Sequence, residues 1–373
     1  MTHQIINIIK TNSPHLSWIE NGLIYLVRHG SRAYNCHTET SDDDYKGICI
    51  PPKQYYFGNL NKFEQAELKD PNPDTVIFEI KKFFSLAVQA NPNVLETLFV
   101  DENDRLYVSA LGQEILDNRE LFLSKKIYHT MKGYAYAQMK RLTSHRGWLL
   151  NPLKEAPKRS DFGLPELPEI PKQQLDSIKA LLKKKLDKFD FNFLDQLTND
   201  QRIGIKEIVS DIVGEMKISL DDKWLGACRQ IGLNDNLIEI MKLEREFENA
   251  QNHWNAYLSW KKNRNPKRYE IESKVGYDTK HFYHVIRLFL MCEEVLSTGK
   301  LIVKRPDREM FMDIRSGKWK YEDLMDFAEK KNIVCEDLYK NSTTIPHIPN
   351  HKKIDELCIK LVEKGINLHD KQF

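Results

Sequence analysis

Leu23-Ile24-Tyr25-Leu26-Val27-Arg28-His29-Gly30-Ser31-Arg32-Ala33-Tyr34 is followed, ten residues after Ser31, by Ser41-Asp42-Asp43-Asp44-Tyr45-Lys46-Gly47-Ile48-Cys49-Ile50. The first stretch reads as an apolar strand running into a Gly-Ser turn. The second reads as a D-x-D pair opening a further apolar strand. Alternate residues of an extended chain point to one face, so Asp42 and Asp44 can address a single metal centre. A Gly-Ser step opening a helix can offer backbone N–H groups and a hydroxyl to phosphate oxygens. Together these are parts suited to holding a nucleoside triphosphate.

With these motifs the chain resembles the DNA polymerase β-type nucleotidyltransferase superfamily, and within it the RNA-ligase-associated (RlaP-type) nucleotidyltransferases. The resemblance continues through Phe78-Glu79-Ile80-Lys81-Lys82-Phe83, Asn91-Pro92-Asn93 and Gly133-Tyr134-Ala135. It resumes at Gly276-Tyr277-Asp278-Thr279-Lys280-His281 with His284 and Arg287, and at Arg308-Glu309 through Ile314-Arg315-Ser316-Gly317-Lys318-Trp319. The stretch between about His145 and Trp260 is long and Lys-rich and does not map fully onto the family core.

The resemblance implies an α+β fold: a small mixed-sheet nucleotidyltransferase domain over residues 1–124, then a mainly helical region over 125–373. Within the latter, 146–262 is a Lys-rich insertion and 263–340 a helical segment that faces the active site. It implies transfer of a nucleoside monophosphate from an NTP to an RNA, a tRNA or a broken RNA end, with release of pyrophosphate. Two Mg²⁺ or Mn²⁺ ions serve such chemistry, gripped by converging carboxylates. Asp42 and Asp44 supply two of these, and Glu79 matches the acidic position after the family's third core strand. Asp74, at a strand start, is the second choice for the third carboxylate and otherwise caps a turn. Nucleotide contacts are expected from Gly30, Ser31 and Arg32, and from Lys280, His284 and Arg287. Other readings are nucleotidylation (AMPylation) of a protein or small molecule, and a nucleic-acid-binding module without activity.

Size and composition are compatible with this. A chain of 373 residues can bury two domain-sized cores. Charged residues make up 29%, but the net charge is only +2, so any nucleic-acid surface must be local. Lys183 and Lys184 in one cluster, and Lys261, Arg264 and Arg268 beside Trp254, Tyr257 and Trp260 in another, have the composition of such a surface; a solvated basic helix face reads equally well. No run reaches membrane-span length, and no signal-peptide pattern opens the chain, so a cytoplasmic location is expected. The six cysteines lack C-x-x-C spacing and read as reduced thiols.

Strands are expected at Leu23–Val27, Asp44–Ile50 and 74–79, with a possible edge segment at 101–107. Helices are expected over Ile80–Ala90, Lys125–Leu142, Lys172–Phe189, Ile203–Met216, Leu237–Ala250, His253–Lys262, Thr279–Leu296 and Tyr321–Lys330. In the penultimate one Asp278 is the expected N-cap and Gly299 lies just past its end. Lys280, His284, Arg287 and Met291 form one stripe of that helix, and a cationic stripe is costly to bury without an anionic partner.

Overall fold

The computed structural model describes residues 2–39, 41–69, 73–168, 170–187, 220–264 and 266–369. It comprises two compact units: Met1–Leu150 together with Pro266–Phe373, and Asn151–Asn265.

The first unit is built on a five-stranded mixed sheet. Its strands are β1 (Leu23–His29), β2 (Asp44–Cys49), β3 (Gln65–Leu68), β4 (Asp74–Glu79) and β5 (Arg105–Val108), in the order β3-β4-β2-β1-β5. β1 runs antiparallel to β2 and β5, β3 is antiparallel to β4, and β2 and β4 are parallel. β1 is apolar on both faces over Leu23–Val27, and β2 and β4 bury Ile48, Cys49, Ile77 and Phe78, as in a sheet covered on both faces. Tyr25, Val27, Ile48 and Phe78 face a large core shared with the helices, whereas Leu26, Tyr45 and Ile77 pack on Ile5, Ile6 and Ile9 of helix Thr2–Asn12. The fold is α+β, a small sheet followed by a mainly helical chain.

The helices end where local chemistry requires. Asp278 caps helix Thr279–Thr298 by accepting the His281 backbone N–H at 3.0 Å, and Gly299 closes it in the left-handed conformation at φ 71°. This helix packs on helix Lys126–Leu150 and on helix Tyr321–Asn341, and buries Phe282, Val285, Ile286, Phe289 and Val295 between them. Helix Ile80–Val88 stops short of Asn91-Pro92, and Pro92 instead starts the next helix, Pro92–Leu98, where its missing N–H costs nothing.

The helical expectations are corrected in three places. Leu237–Ala250 and His253–Lys262 form one continuous helix, Asp235–Lys262; Gln251 and Asn252 between them contain no breaker. Lys126–Leu150 and Tyr321–Asn341 run well past their expected ends. The C-terminal tail forms helix His351–His369, which returns to the sheet: His369 Nε2 lies 2.8 Å from the Ile50 carbonyl, Gly365 packs on Ile50, and Lys360 and Lys364 pair with Glu114. The expected helix Ile203–Met216 lies outside the described residues.

The second unit has its own apolar cluster, Ile170, Leu182, Ala227, Cys228, Ile238 and Met241. A bidentate pair from Arg159 to Glu244, at 2.9 and 2.5 Å, ties a short turn to helix Asp235–Lys262. No helix among the described residues is long and apolar enough to cross a membrane.

Candidate active site

The parallel register of β2 and β4 decides which carboxylates share a site. Asp44 opens β2 and is paired with Asp74, which opens β4. Asp42 lies two residues before Asp44 in the loop that leads into β2. Burial raises the Asp44 pKa, and the nearby charges of Asp74 and Asp42 push in the same direction, while Lys280 and Lys46 oppose them. Three acidic groups and two lysines therefore act on one spot. Their carboxylate oxygens do not form a group of three within 4.8 Å of one another.

Glu79 is not part of this group, which corrects the expectation from sequence. It ends β4, paired with Cys49 at the far end of β2. Five residues at about 3.3 Å each separate it from Asp74, so it stands roughly 16 Å along the strand from the acidic pair. Its carboxylate accepts the Lys82 backbone N–H at 2.8 Å, capping helix Ile80–Val88, and the Tyr56 hydroxyl at 2.8 Å. Glu79 lies on β4, but parallel pairing with β2 sets it at the end away from Asp44.

The Gly-Ser turn stands directly beside Asp44. Gly30 adopts φ 67°, a left-handed conformation open to glycine, and a Cβ there would collide with the Asp44 carboxylate. Ser31 is half-buried in the single turn Gly30–Ala33, and its carbonyl accepts the Cys36 N–H at 2.9 Å. Arg32 commits its guanidinium to its own loop, pairing with Asp43 at 2.5 Å and donating to the Ser41 carbonyl at 3.2 Å. It therefore braces the D-x-D loop, where a triphosphate contact was expected.

The cationic stripe of helix Thr279–Thr298 runs from surface to core. Lys280 is exposed and acts on Asp44. His284 is driven well below the usual histidine pKa by burial and by the charges of Arg287, Lys280, His281 and Arg315, so it is neutral. Arg287 is buried and is not available to a nucleotide: its Nη1 pairs with Glu96 Oε1 at 2.6 Å, and its guanidinium lies over the Tyr34 ring at 3.9 Å. Glu96 also accepts the Tyr34 hydroxyl and lies 3.9 Å from His29 Nε2. The anionic partner that the buried arginine required is thus Glu96, which the sequence reading did not find; a glutamate inside Pro-Asn-Val-Leu-Glu-Thr-Leu was the available signal. Lys46 bridges the two regions. Its Nζ donates to the Asn93 carbonyl at 2.8 Å, and burial, partly offset by Glu96, Asp44 and Asp74, lowers its pKa to about 8.

In the second unit, Trp254, Tyr257 and Trp260 follow one another along helix Asp235–Lys262 with ring centroids 5.7 and 5.9 Å apart. Arg264 stacks on Trp260 at 4.2 Å and Lys261 lies 6.0 Å from the Tyr257 ring. These aromatic rings meet one another at a tilt and contact neighbouring cations. The side chains of Lys183, Lys184 and Arg268 lie outside the described residues.

Residues 5–156, which contain the sheet, the Gly-Ser turn and all the acidic groups above, match the model of RlaP, the RNA repair pathway DNA polymerase beta family. Over this region the chain is similar to that family. The matched stretch ends just after helix Lys126–Leu150, so helix Thr279–Thr298 and its Lys280 lie beyond the match. A wider likeness joins the two parts: an uncharacterized 38.9 kDa protein of Enterobacteria phage T4, from the nrdC–mobD intergenic region, is 24% identical over 327 residues, or 80% of this chain and 84% of the phage protein. No solved structure matches the chain.

Proposed function

We propose that the chain is a metal-dependent nucleotidyltransferase that moves a nucleoside monophosphate from an NTP to an RNA acceptor, releasing pyrophosphate. The observation that carries this reading is the juxtaposition of Asp44 and Asp74 at the heads of two parallel strands, beside the Gly30-Ser31 turn and within reach of Asp42. The donor set fits Mg²⁺ or Mn²⁺, because hard divalent ions favour carboxylate oxygens, and crowding that raises the Asp44 pKa is relieved by a cation. Asp42, Asp44 and Asp74 would hold the ions, whose chemistry is to neutralise charge on the attacking and leaving oxygens.

The remaining steps belong to the chain. Ser31 and the backbone at Gly30 bind the terminal phosphates. Lys280 and Lys46 balance triphosphate charge near Asp44. Asp74, the most exposed position of the acidic pair, takes the proton of the acceptor hydroxyl. RNA as acceptor is supported by the description of the matching family and by the local Lys-Arg and aromatic composition around residues 254–268.

Incubation of the purified chain with Mg²⁺ or Mn²⁺, an α-phosphate-labelled NTP and RNA tests the proposal. Label in the RNA, lost in the Asp42→Ala/Asp44→Ala double variant, is the expected result. Label in protein alone would indicate AMPylation, and undiminished transfer by the double variant would overturn the metal assignment.

A further inference from the structure

A second group of ligand-bearing side chains stands apart from the acidic pair. His145, on helix Lys126–Leu150, meets Asp278 and His281 at the start of helix Thr279–Thr298. One ligand atom from each lies within 4.8 Å of the others, and among the described residues this is the only such group of three. His281 Nδ1 and Asp278 Oδ2 are 2.6 Å apart, and His145 Nδ1 is 3.5 Å from the same oxygen. Their side chains are 23%, 8% and 16% exposed, in the order His281, Asp278, His145, so the group is shielded from bulk water yet reachable by an ion.

The surroundings hold these side chains in place. The second Asp278 oxygen accepts the His281 backbone N–H at 3.0 Å, which fixes the carboxylate. Trp148 stacks on His145 with centroids 5.5 Å apart, and the two imidazoles meet edge to face at 5.4 Å. Outer contacts of this kind orient metal-binding residues.

Two imidazoles and a carboxylate form a donor set for zinc-class ions and a poor one for Mg²⁺. Ligands about 2.0–2.1 Å from a tetrahedral ion stand roughly 3.3 Å from each other. The His145–Asp278 separation already approximates this, and the His281–Asp278 pair needs to open by less than about 1 Å. We propose that His145, Asp278 and His281 form a binding site for a zinc-class divalent ion that clips helix Lys126–Leu150 to helix Thr279–Thr298, with its fourth position open to water. The clip joins two helices that are 133 positions apart in sequence, counted from His145 to Asp278.

The test uses the full chain, stripped of metal and titrated with Co²⁺ and then Zn²⁺. One equivalent of Co²⁺ should give visible ligand-field bands that Zn²⁺ removes and Mg²⁺ does not, and Zn²⁺ should raise the Tm. Asp278→Asn retains a capping side chain and should weaken Zn²⁺ binding by at least about tenfold. His145→Ala and His281→Ala should weaken it further. The Asp42→Ala/Asp44→Ala variant should keep the Co²⁺ signal undiminished, which separates this site from the proposed transfer centre. Absence of the Co²⁺ bands in the unaltered chain overturns the proposal. So does their persistence at full strength in all three single variants with native helix content.

Discussion

The Asp44 carboxylate lies against the α-carbon of Gly30, in the space that a side chain at position 30 would need. The two halves of the motif are therefore one object in three dimensions: the turn can approach a phosphate and the acid can stand beside it because residue 30 has no side chain.

Gly30→Ala should consequently carry two penalties. An L-residue at φ 67° costs roughly 1–2 kcal/mol, and the collision with Asp44 adds to it. In an Asp44→Ala background the collision disappears, so urea unfolding should show a smaller cost for Gly30→Ala there. A coupling of about 0.5–3 kcal/mol is expected for residues in contact; strict additivity would show that the two do not touch.

Asp74 and Glu79 should behave in opposite ways. Asp74→Asn should reduce transfer by more than about 100-fold, beyond what the loss of an outer-shell partner alone produces. Glu79→Ala should leave the rate of transfer largely intact and cost about 1 kcal/mol of stability through the lost helix cap. Initial rates and denaturation curves on both variants distinguish the two ends of β4. The reverse pattern would mean that the third carboxylate is Glu79.

Arg287 and Glu96 form a pair in the core, and truncating either leaves the other charged and buried. Arg287→Met and Glu96→Gln should each destabilise by about 3–5 kcal/mol, with the double variant costing less than their sum. Because Arg287 also stacks on Tyr34, just after the Gly-Ser turn, variants that still fold should transfer more slowly with a largely unchanged metal requirement. A thermal shift assay on the three proteins reads the first effect.

Acidity should reveal the strain at Asp44. Its folded pKa lies above the unfolded value through burial and the charge of Asp74, so the ionised carboxylate costs stability at neutral pH. That cost shrinks as pH falls below the raised pKa and is gone once pH is below the ordinary carboxylate value. Asp44→Asn should therefore be more stable than the unaltered chain at neutral pH, and the Tm difference should close on acidification. A difference that grows towards acid pH would contradict the raised pKa.

The three central strands were legible because their apolar runs are bounded by turn and acidic residues, and helix Thr279–Thr298 because Asp278 and Gly299 mark its ends. β3, with its short Gln65–Leu68 run, carries too little periodicity to be recognised. The choice of Glu79 over Asp74 failed for a specific reason: both begin or end the same strand, and only parallel pairing with β2 decides which end meets Asp44. Arg287 was misread because its partner Glu96 is 191 residues away, a distance no local pattern spans. The continuity of helix Asp235–Lys262 was not foreseen, although Gln251 and Asn252 contain no breaker.

The return of helix His351–His369 to Ile50 has a consequence for synthesis. A nascent chain that has just exposed residue 156 already holds all five strands of this sheet, yet the apolar surface that Phe289 and Leu361 later cover is still bare. Until helix His351–His369 clears the ribosome, that uncovered sheet is a target for chaperones and for sister polypeptides. A fragment cut at the boundary of the family match would keep this vulnerability for good, and should aggregate where the intact polypeptide does not.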